Sequence, residues 1–234
     1  MRRWLAVLFS ILIMPLCYAG MLSITPTRLV LSAEQPVGVL TLTNPNDMPT
    51  LIHLKIMRWT QERGKDHYQP TEDILATPPV FELPPHKSQV IRFAIQNQIN
   101  PRSEQAYRVY LREVVTQTKI FRHLNSQLKV ALSISVPVFI HPEVVERKFV
   151  WSAKWSDNQH LQIQLHNTGN ITLFTNQWQL FSANKPLSHK KTVFSYIQPG
   201  QSEAWTIKAS QFKPPLNVSA NINGELMRTH AQMP

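Results

Sequence analysis

Three scarcities frame this sequence: it has 6 glycines, 1 cysteine and 14 acidic side chains in 234 residues. A single cysteine can form neither an internal disulfide nor a thiolate metal cluster, so packing must hold the fold together. With 43% hydrophobic and 16% charged residues, a disordered tail or a collagen-like fibre is excluded, and one or two packed domains remain. Acids this sparse leave little for the paired carboxylates of a glycosidase cleft. The sequence also has no Gly-x-Ser-x-Gly elbow, no glycine-rich phosphate loop and no His-Glu-x-x-His, and its 9 histidines are scattered. No catalytic residue, metal ligand or cofactor site is expected, and the chain does not read as an enzyme.

Long apolar runs are missing as well, with one exception at the start. Arg2 and Arg3 precede an apolar stretch from Trp4 to Leu16, which ends in the small-residue exit Cys17-Tyr18-Ala19. That is the three-part pattern of a secretory signal peptide, and it is too short to span a bilayer comfortably. Residues 1–19 are therefore expected to be removed and the remainder exported, with no stable membrane insertion. Losing Arg2 and Arg3 lowers the formal charge from +10 to +8 and removes the one cysteine. The basic residues are spread along the chain instead of clustering with aromatics, so a protein partner is expected and nucleic acid is not.

What the sequence has in abundance is proline, 18 in all, together with short stretches of alternating apolar residues. Examples are Ile52-Leu54-Ile56, Tyr107-Val109-Leu111, Leu161-Ile163-Leu165 and Val218-Ala220-Ile222, separated by turns such as Arg63-Gly64-Lys65 and Asn167-Thr168-Gly169-Asn170. Period-two alternation with proline punctuation predicts half-buried strands, and no amphipathic helix longer than about two turns is found. The strands are too many for one small sandwich, so the predicted fold is all-β, with two β-sandwich domains at residues 20–141 and 147–234. The short link between them predicts a fixed elbow.

One segment invites a functional reading. In residues 127–142, QLKVALSISVPVFIHP, the side chains of Leu128, Val130, Leu132 and Ile134 share one face, and Ala131, Ser133 and Ser135 the other. Periodicity alone allows two roles, a core strand or an edge strand offered to a partner. An exported β-sandwich adhesin or carbohydrate-binding module is the alternative class, and exposed aromatics gathered on one face would mark it.

Several motifs together resemble a known family. They are Thr25-Pro26-Thr27-Arg28-Leu29, Thr41-Leu42-Thr43-Asn44, Ala76-Thr77-Pro78-Pro79, Gln89-Val90-Ile91-Arg92, Glu104-Gln105-Ala106-Tyr107-Arg108 with Leu111-Arg112-Glu113, Asn167-Thr168-Gly169-Asn170 and Tyr196-Ile197-Gln198-Pro199-Gly200. In these the chain resembles the PapD-like periplasmic chaperones of the chaperone-usher pilus pathway, and is similar to their archaic branch, associated with spore-coat-U-type subunits. Only fifteen residues, 113–127, separate Arg112 from Leu128, unlike the long loop of the chaperones that serve thin, non-pilus fibres.

The resemblance implies a boomerang of two immunoglobulin-like sandwiches in the periplasm. Its partners would be pilus or fimbrial subunits lacking a final strand and an outer-membrane usher that receives them. The strand lent to the subunit would run over residues 127–135 and donate Leu128, Val130, Leu132 and Ile134. An edge strand of this kind could also pair with a second copy, so self-association of the free chain is expected to be accessible. In the best-known members an arginine and a lysine anchor the subunit's terminal carboxylate. The arginine carries over to Arg28, whereas the lysine position holds Pro137, so Arg92 and Arg112 are the expected replacements. A brace between the domains would match Glu104, His141 and Asn221.

Overall fold

The computed structural model describes residues 22–96, 101–114, 131–182, 185–209 and 215–233. All regular structure there is β, and no helix among the described residues is long and apolar enough to cross a membrane. The first group of strands is β1 (Ser23–Thr25), β2 (Leu29–Leu31), β3 (Val37–Thr43), β4 (Thr50–Glu62), β5 (Lys65–Pro70), β6 (Ile74–Thr77), β7 (Val80–Leu83), β8 (Ser88–Ile95), β9 (Gln105–Glu113) and β10 (Ser133–Ile140). After a strand-free link follow β11 (Phe149–Asp157), β12 (His160–Asn167), β13 (Leu173–Ser182), β14 (Lys185–Pro186), β15 (Lys191–Ile197), β16 (Ser202–Lys208), β17 (Leu216–Ile222) and β18 (Glu225–Gln232).

The first group builds two facing sheets. One has the order β1-β3-β8-β6, and the other β2-β10-β9-β4-β5 with β7 also on β4. Their inner faces meet in one core: Leu40, Leu42, Ile91 and Phe93 from the first sheet pack with Ile52, Leu54, Tyr107, Val109, Val136 and Val138 from the second. Because side chains alternate, each buried residue fixes its neighbours on the outer face. Tyr107 shows what the inner side does to a polar group. Burial, and then the hydrogen bond its hydroxyl donates to Asp73 at 2.9 Å, push the phenol well above the ordinary tyrosine range.

The second group forms an eight-strand system, β14-β13-β17-β18-β11-β12-β16 with β15 on β13. Its core is built on tryptophan. Trp151 and Trp178 are fully buried, and with Trp205 their ring centroids lie 5.6 to 6.4 Å apart. Large interlocking rings bury much area per residue, which suits a sandwich that has no disulfide.

Two turns carry the sequence signals most directly. Arg63-Gly64 joins β4 to β5 and Asn223-Gly224 joins β17 to β18, all four residues at positive φ, as two-residue hairpins require. The Asn167–Asn170 turn works differently. Gly169 donates to the Lys148 carbonyl at 2.9 Å, and a Cβ placed there would run into the backbone of Glu146 and Lys148. This close approach lays the turn against the link between the two strand groups and aims Asn170 at the first group.

Candidate functional site: a half-free strand and an interdomain cleft

β10 is paired along its whole length with β9, from Ser133↔Arg112 to Ile140↔Gln105. On its other side it meets β2 only at Val138↔Leu29, Phe139↔Val30 and Ile140↔Leu31. Residues 133–137 therefore keep an open edge among the described residues. Pairing with β9 reaches one residue further, since Glu113 donates to the Leu132 carbonyl at 2.8 Å.

The even-numbered residues of β10 face inward. Val136, Val138 and Ile140 are wholly buried, whereas Ile134 and Leu132 are only half-buried. The apolar row thus begins in the protein's own core and continues out along the open edge. Leu128 and Val130, expected to extend it, lie outside the described residues. The expected core strand and the expected edge strand are one strand: its C-terminal half is core, and its N-terminal half is edge.

On the outer face of the same sheet, register sets side chains in rows. Val30, Phe139, Ala106 and Trp59 form one row. The next row is Pro137, Arg108 and Met57, and Arg28, a bend residue one position before Leu29, precedes the β2 pairing. Ser135, Tyr110 and Lys55 follow, then Ser133, Arg112 and His53. With Arg28, these rows carry five basic side chains and no acid. The Arg28 guanidinium lies 4.8 Å from the centre of the Phe139 ring, and that of Arg108 4.1 Å from Trp59 and 5.1 Å from Tyr196.

Arg112 shares this face but stands two rows from Arg108, exposed and stacked on Tyr110 at 5.5 Å. Arg92 does not share it. It is on β8 between buried Ile91 and Phe93, beside Val39 and Thr77, so it points outward from the opposite sheet. Alternation makes Arg92 a surface residue wherever β8 packs, and β8 belongs to the other sheet from β2. The expectation that Arg92 lines the cleft is corrected on that ground.

Two members of the expected brace do meet. His141 Nε2 is 2.7 Å from Glu104 Oε2, and neither atom has another hydrogen-bond partner among the described residues. Glu104 Oε1 accepts from the Thr172 backbone N–H at 2.9 Å, which joins the two sandwiches. Asn221 is not part of this group. It sits on β17, where its Oδ1 accepts from Gly224 N–H at 3.1 Å and closes the β17–β18 hairpin. A hairpin-closing amide cannot also reach Glu104, and the third partner is instead a backbone group.

Sequence reasoning missed the other elbow contacts. Asn170 accepts from Glu146 N–H at 2.7 Å, donates to the Val144 carbonyl at 2.7 Å and to Arg102 at 3.3 Å, and its own carbonyl accepts from Glu104 N–H at 2.8 Å. Gln61 and Gln198 clasp each other across the elbow. Beside them the rings of Trp59, Phe139 and Tyr196 pack at 5.5 to 6.3 Å between centroids. Asn170 and Gln198 both lie inside motifs quoted above, so the signal was present but its purpose was not.

Fold and site together define a class: an all-β protein of two immunoglobulin-like sandwiches with a half-free strand beside a basic interdomain cleft. Residues 21–146 match the model described as the pili and flagellar-assembly chaperone, PapD N-terminal domain, and the chain belongs to this pilus-assembly chaperone family, which is non-enzymatic. The fold is similar to that of the CsuC-CsuE chaperone–tip adhesion subunit pre-assembly complex from the archaic chaperone-usher Csu pili of Acinetobacter baumannii (TM-score 0.67, 15% identity, 92% of this chain and 100% of that one). It is also similar to the E. coli chaperone DraB (0.60, 18%, 92% and 97%) and to the Salmonella enterica SafA pilin–SafB chaperone complex (0.59, 16%, 90% and 95%). No curated protein matches the sequence.

Proposed function

We propose that this chain is a periplasmic chaperone that holds fibre subunits lacking a final strand, by donor-strand complementation, and hands them to an outer-membrane usher. Residues 1–19 direct export. Residues 20–141 form the domain that carries the lent strand, and 147–234 the second domain. The observation that carries this reading is the open edge of β10 over residues 133–137, with its apolar row emerging half-buried at Ile134 and Leu132. A sandwich short of one strand exposes a groove and two unpaired backbone edges, and an alternating apolar strand satisfies both at once.

Leu128, Val130, Leu132 and Ile134 are the side chains that would enter the client's groove. At ~25 cal/mol per Å² and roughly 100 to 150 Å² each, they supply about 10 kcal/mol gross, before the ordering costs of association. That holds a client while leaving exchange for another subunit's strand feasible without a nucleotide. Arg28 and Arg112 lie on the face beside that strand and are proposed client contacts. The likeness to a Csu complex and the short 113–127 segment support an archaic fibre system.

The test is co-expression with the fibre subunit encoded beside this chain. Recovery of a one-to-one complex is expected, with Leu132→Asp or Val130→Asp lowering the yield at least tenfold. Undiminished recovery with both variants would overturn the lent-strand assignment.

A further inference from the structure

The β4–β5 hairpin reaches from the first sandwich onto the second. A Cβ at its turn residue Gly64 would stand 4.0 Å from the Ser202 carbonyl oxygen, so the hairpin tip lies against the start of β16. Two residues on, Asp66 is held in place: Oδ1 accepts from Gln61 Nε2 and Oδ2 from the Tyr68 hydroxyl, both at 3.0 Å. Gln61 is also half of the clasp with Gln198. Asp66 is thus tied directly to the contact that joins the sandwiches.

Glu203 meets this hairpin from the other side. Alternation puts it on the inward face of β16 with Trp205 and Ile207, paired with buried Leu165 on β12. It is half-buried, and no side-chain hydrogen bond or ion pair reaches its carboxylate among the described residues. The charge it does face has its own sign. Burial, and then the negative charge of Asp66, hold the Glu203 carboxyl above the usual glutamate range.

No base intervenes. Glu62, Arg63 and Lys65 of the hairpin make no ion pair among the described residues. On β12 and β16, His160, His166 and Lys208 alternate to the outward face, with His166 Nδ1 2.8 Å from Ser202 Oγ. β15 carries only Lys191, at the end away from the β15–β16 turn, and Tyr196, which packs on Trp59. In a chain of 24 basic and 14 acidic residues, an acid facing an acid marks a contact that closes fully only when one of them holds a proton.

We propose that Glu203 and Asp66 form a proton latch across the elbow: a proton on Glu203 lets the hairpin lie against β16, and its loss leaves two like charges that loosen the Gln61–Gln198 clasp. When the hairpin lifts, Glu203 regains water and Asp66 recedes, so its carboxyl returns to the ordinary range. The closed elbow therefore keeps a proton that the open one releases. Closure is firmest below the ordinary glutamate range and weakens as pH rises through the titration of Glu203 in the closed form. The cleft beside β10 is accordingly held more rigidly in mildly acidic surroundings than in neutral ones.

The experiment is an NMR titration of protein labelled with ¹³C at the glutamate carboxyls, over roughly pH 4 to 8, which brackets the ordinary carboxylate range. Backbone hydrogen exchange of Gln61 and Gln198, corrected for the intrinsic rate, is followed alongside. Glu203 is expected to titrate above the exposed glutamates, and Asp66→Asn to move it down toward them. Protection of the Gln61 and Gln198 amides should fall about threefold or more across the same midpoint, since one pH unit between the titrations of the two forms is tenfold in the closed-to-open ratio. In Glu203→Gln, which keeps the shape without the charge, protection should stay high and flat.

Glu203 titrating with the exposed glutamates, an unmoved titration in Asp66→Asn, or the same fall in protection in Glu203→Gln would overturn the latch. The unsubstituted protein alone decides the first outcome, should a variant fail to fold. Neither readout involves a captured subunit, so the latch and the chaperone reading fail separately.

Discussion

Gln61 and Gln198 hydrogen-bond each other's backbone. Gln61 N–H donates to Gln198 Oε1 at 3.1 Å, Gln198 N–H donates to Gln61 Oε1 at 2.9 Å, and their amide nitrogens donate onward to the carbonyls of Tyr196 at 2.8 Å and Trp59 at 3.1 Å. Each side chain imitates a paired strand for the other, so four backbone groups at the elbow are satisfied without a continuous sheet. Together with the Glu104 bond to Thr172, this fixes the relation between the two sandwiches.

Removing one glutamine strands the other's backbone. Gln198→Ala leaves Gln61 N–H without its side-chain acceptor, at an expected cost of about 1 to 3 kcal/mol. Gln61→Ala should cost a similar amount, and the double variant clearly less than their sum, because the partners act as one unit. Denaturant unfolding of the four proteins checks this. Strict additivity would show that the clasp is not cooperative.

Glu104 is a fully buried carboxylate side chain, with His141 on one oxygen and Thr172 on the other. Deleting the imidazole leaves Glu104 Oε2 buried with no partner among the described residues, so His141→Ala is expected to cost about 1 to 3 kcal/mol. Replacing both partners, as in Glu104→Gln with His141→Leu, should recover much of that loss, since the amide oxygen still accepts from Thr172. Thermal unfolding of the single and double variants reads the difference, and a double variant worse than His141→Ala would contradict the pairing.

Gly169→Ala tests the close approach at the link. The added methyl meets the backbone atoms of Glu146 and Lys148, which cannot rotate aside as a side-chain tip could. A loss of about 1 to 3 kcal/mol is expected, with the transitions of the two sandwiches separating, because Asn170 would be displaced from Arg102 and Glu104. Gly200→Ala is the contrast: no atom lies near a Cβ there, so only the positive φ of 75° opposes it.

The strands were readable from sequence because a half-buried strand writes its environment every second residue. Tyr107, Val109 and Leu111, or Leu161, Ile163 and Leu165, alternate in the sequence and are buried in the structure. The same rule placed Leu132 and Ile134 on one face, and the Glu104–His141 pair followed from family motifs. Arg92 and Asn221 failed for a shared reason. Alternation says which side of its own strand a residue takes, but not which sheet the strand joins or which neighbour it meets.

By itself, then, the sequence determined an all-β chain of alternating strands, without disulfides and of one family, because those properties depend on residue type and local spacing. Tertiary structure alone decided that β2 stops short and leaves residues 133–137 of β10 open, that Gln61 finds Gln198 from 137 residues away, and that the Arg28 guanidinium lies over Phe139. Strand pairing brings such residues together through register between distant segments. No local pattern in the chain records that register.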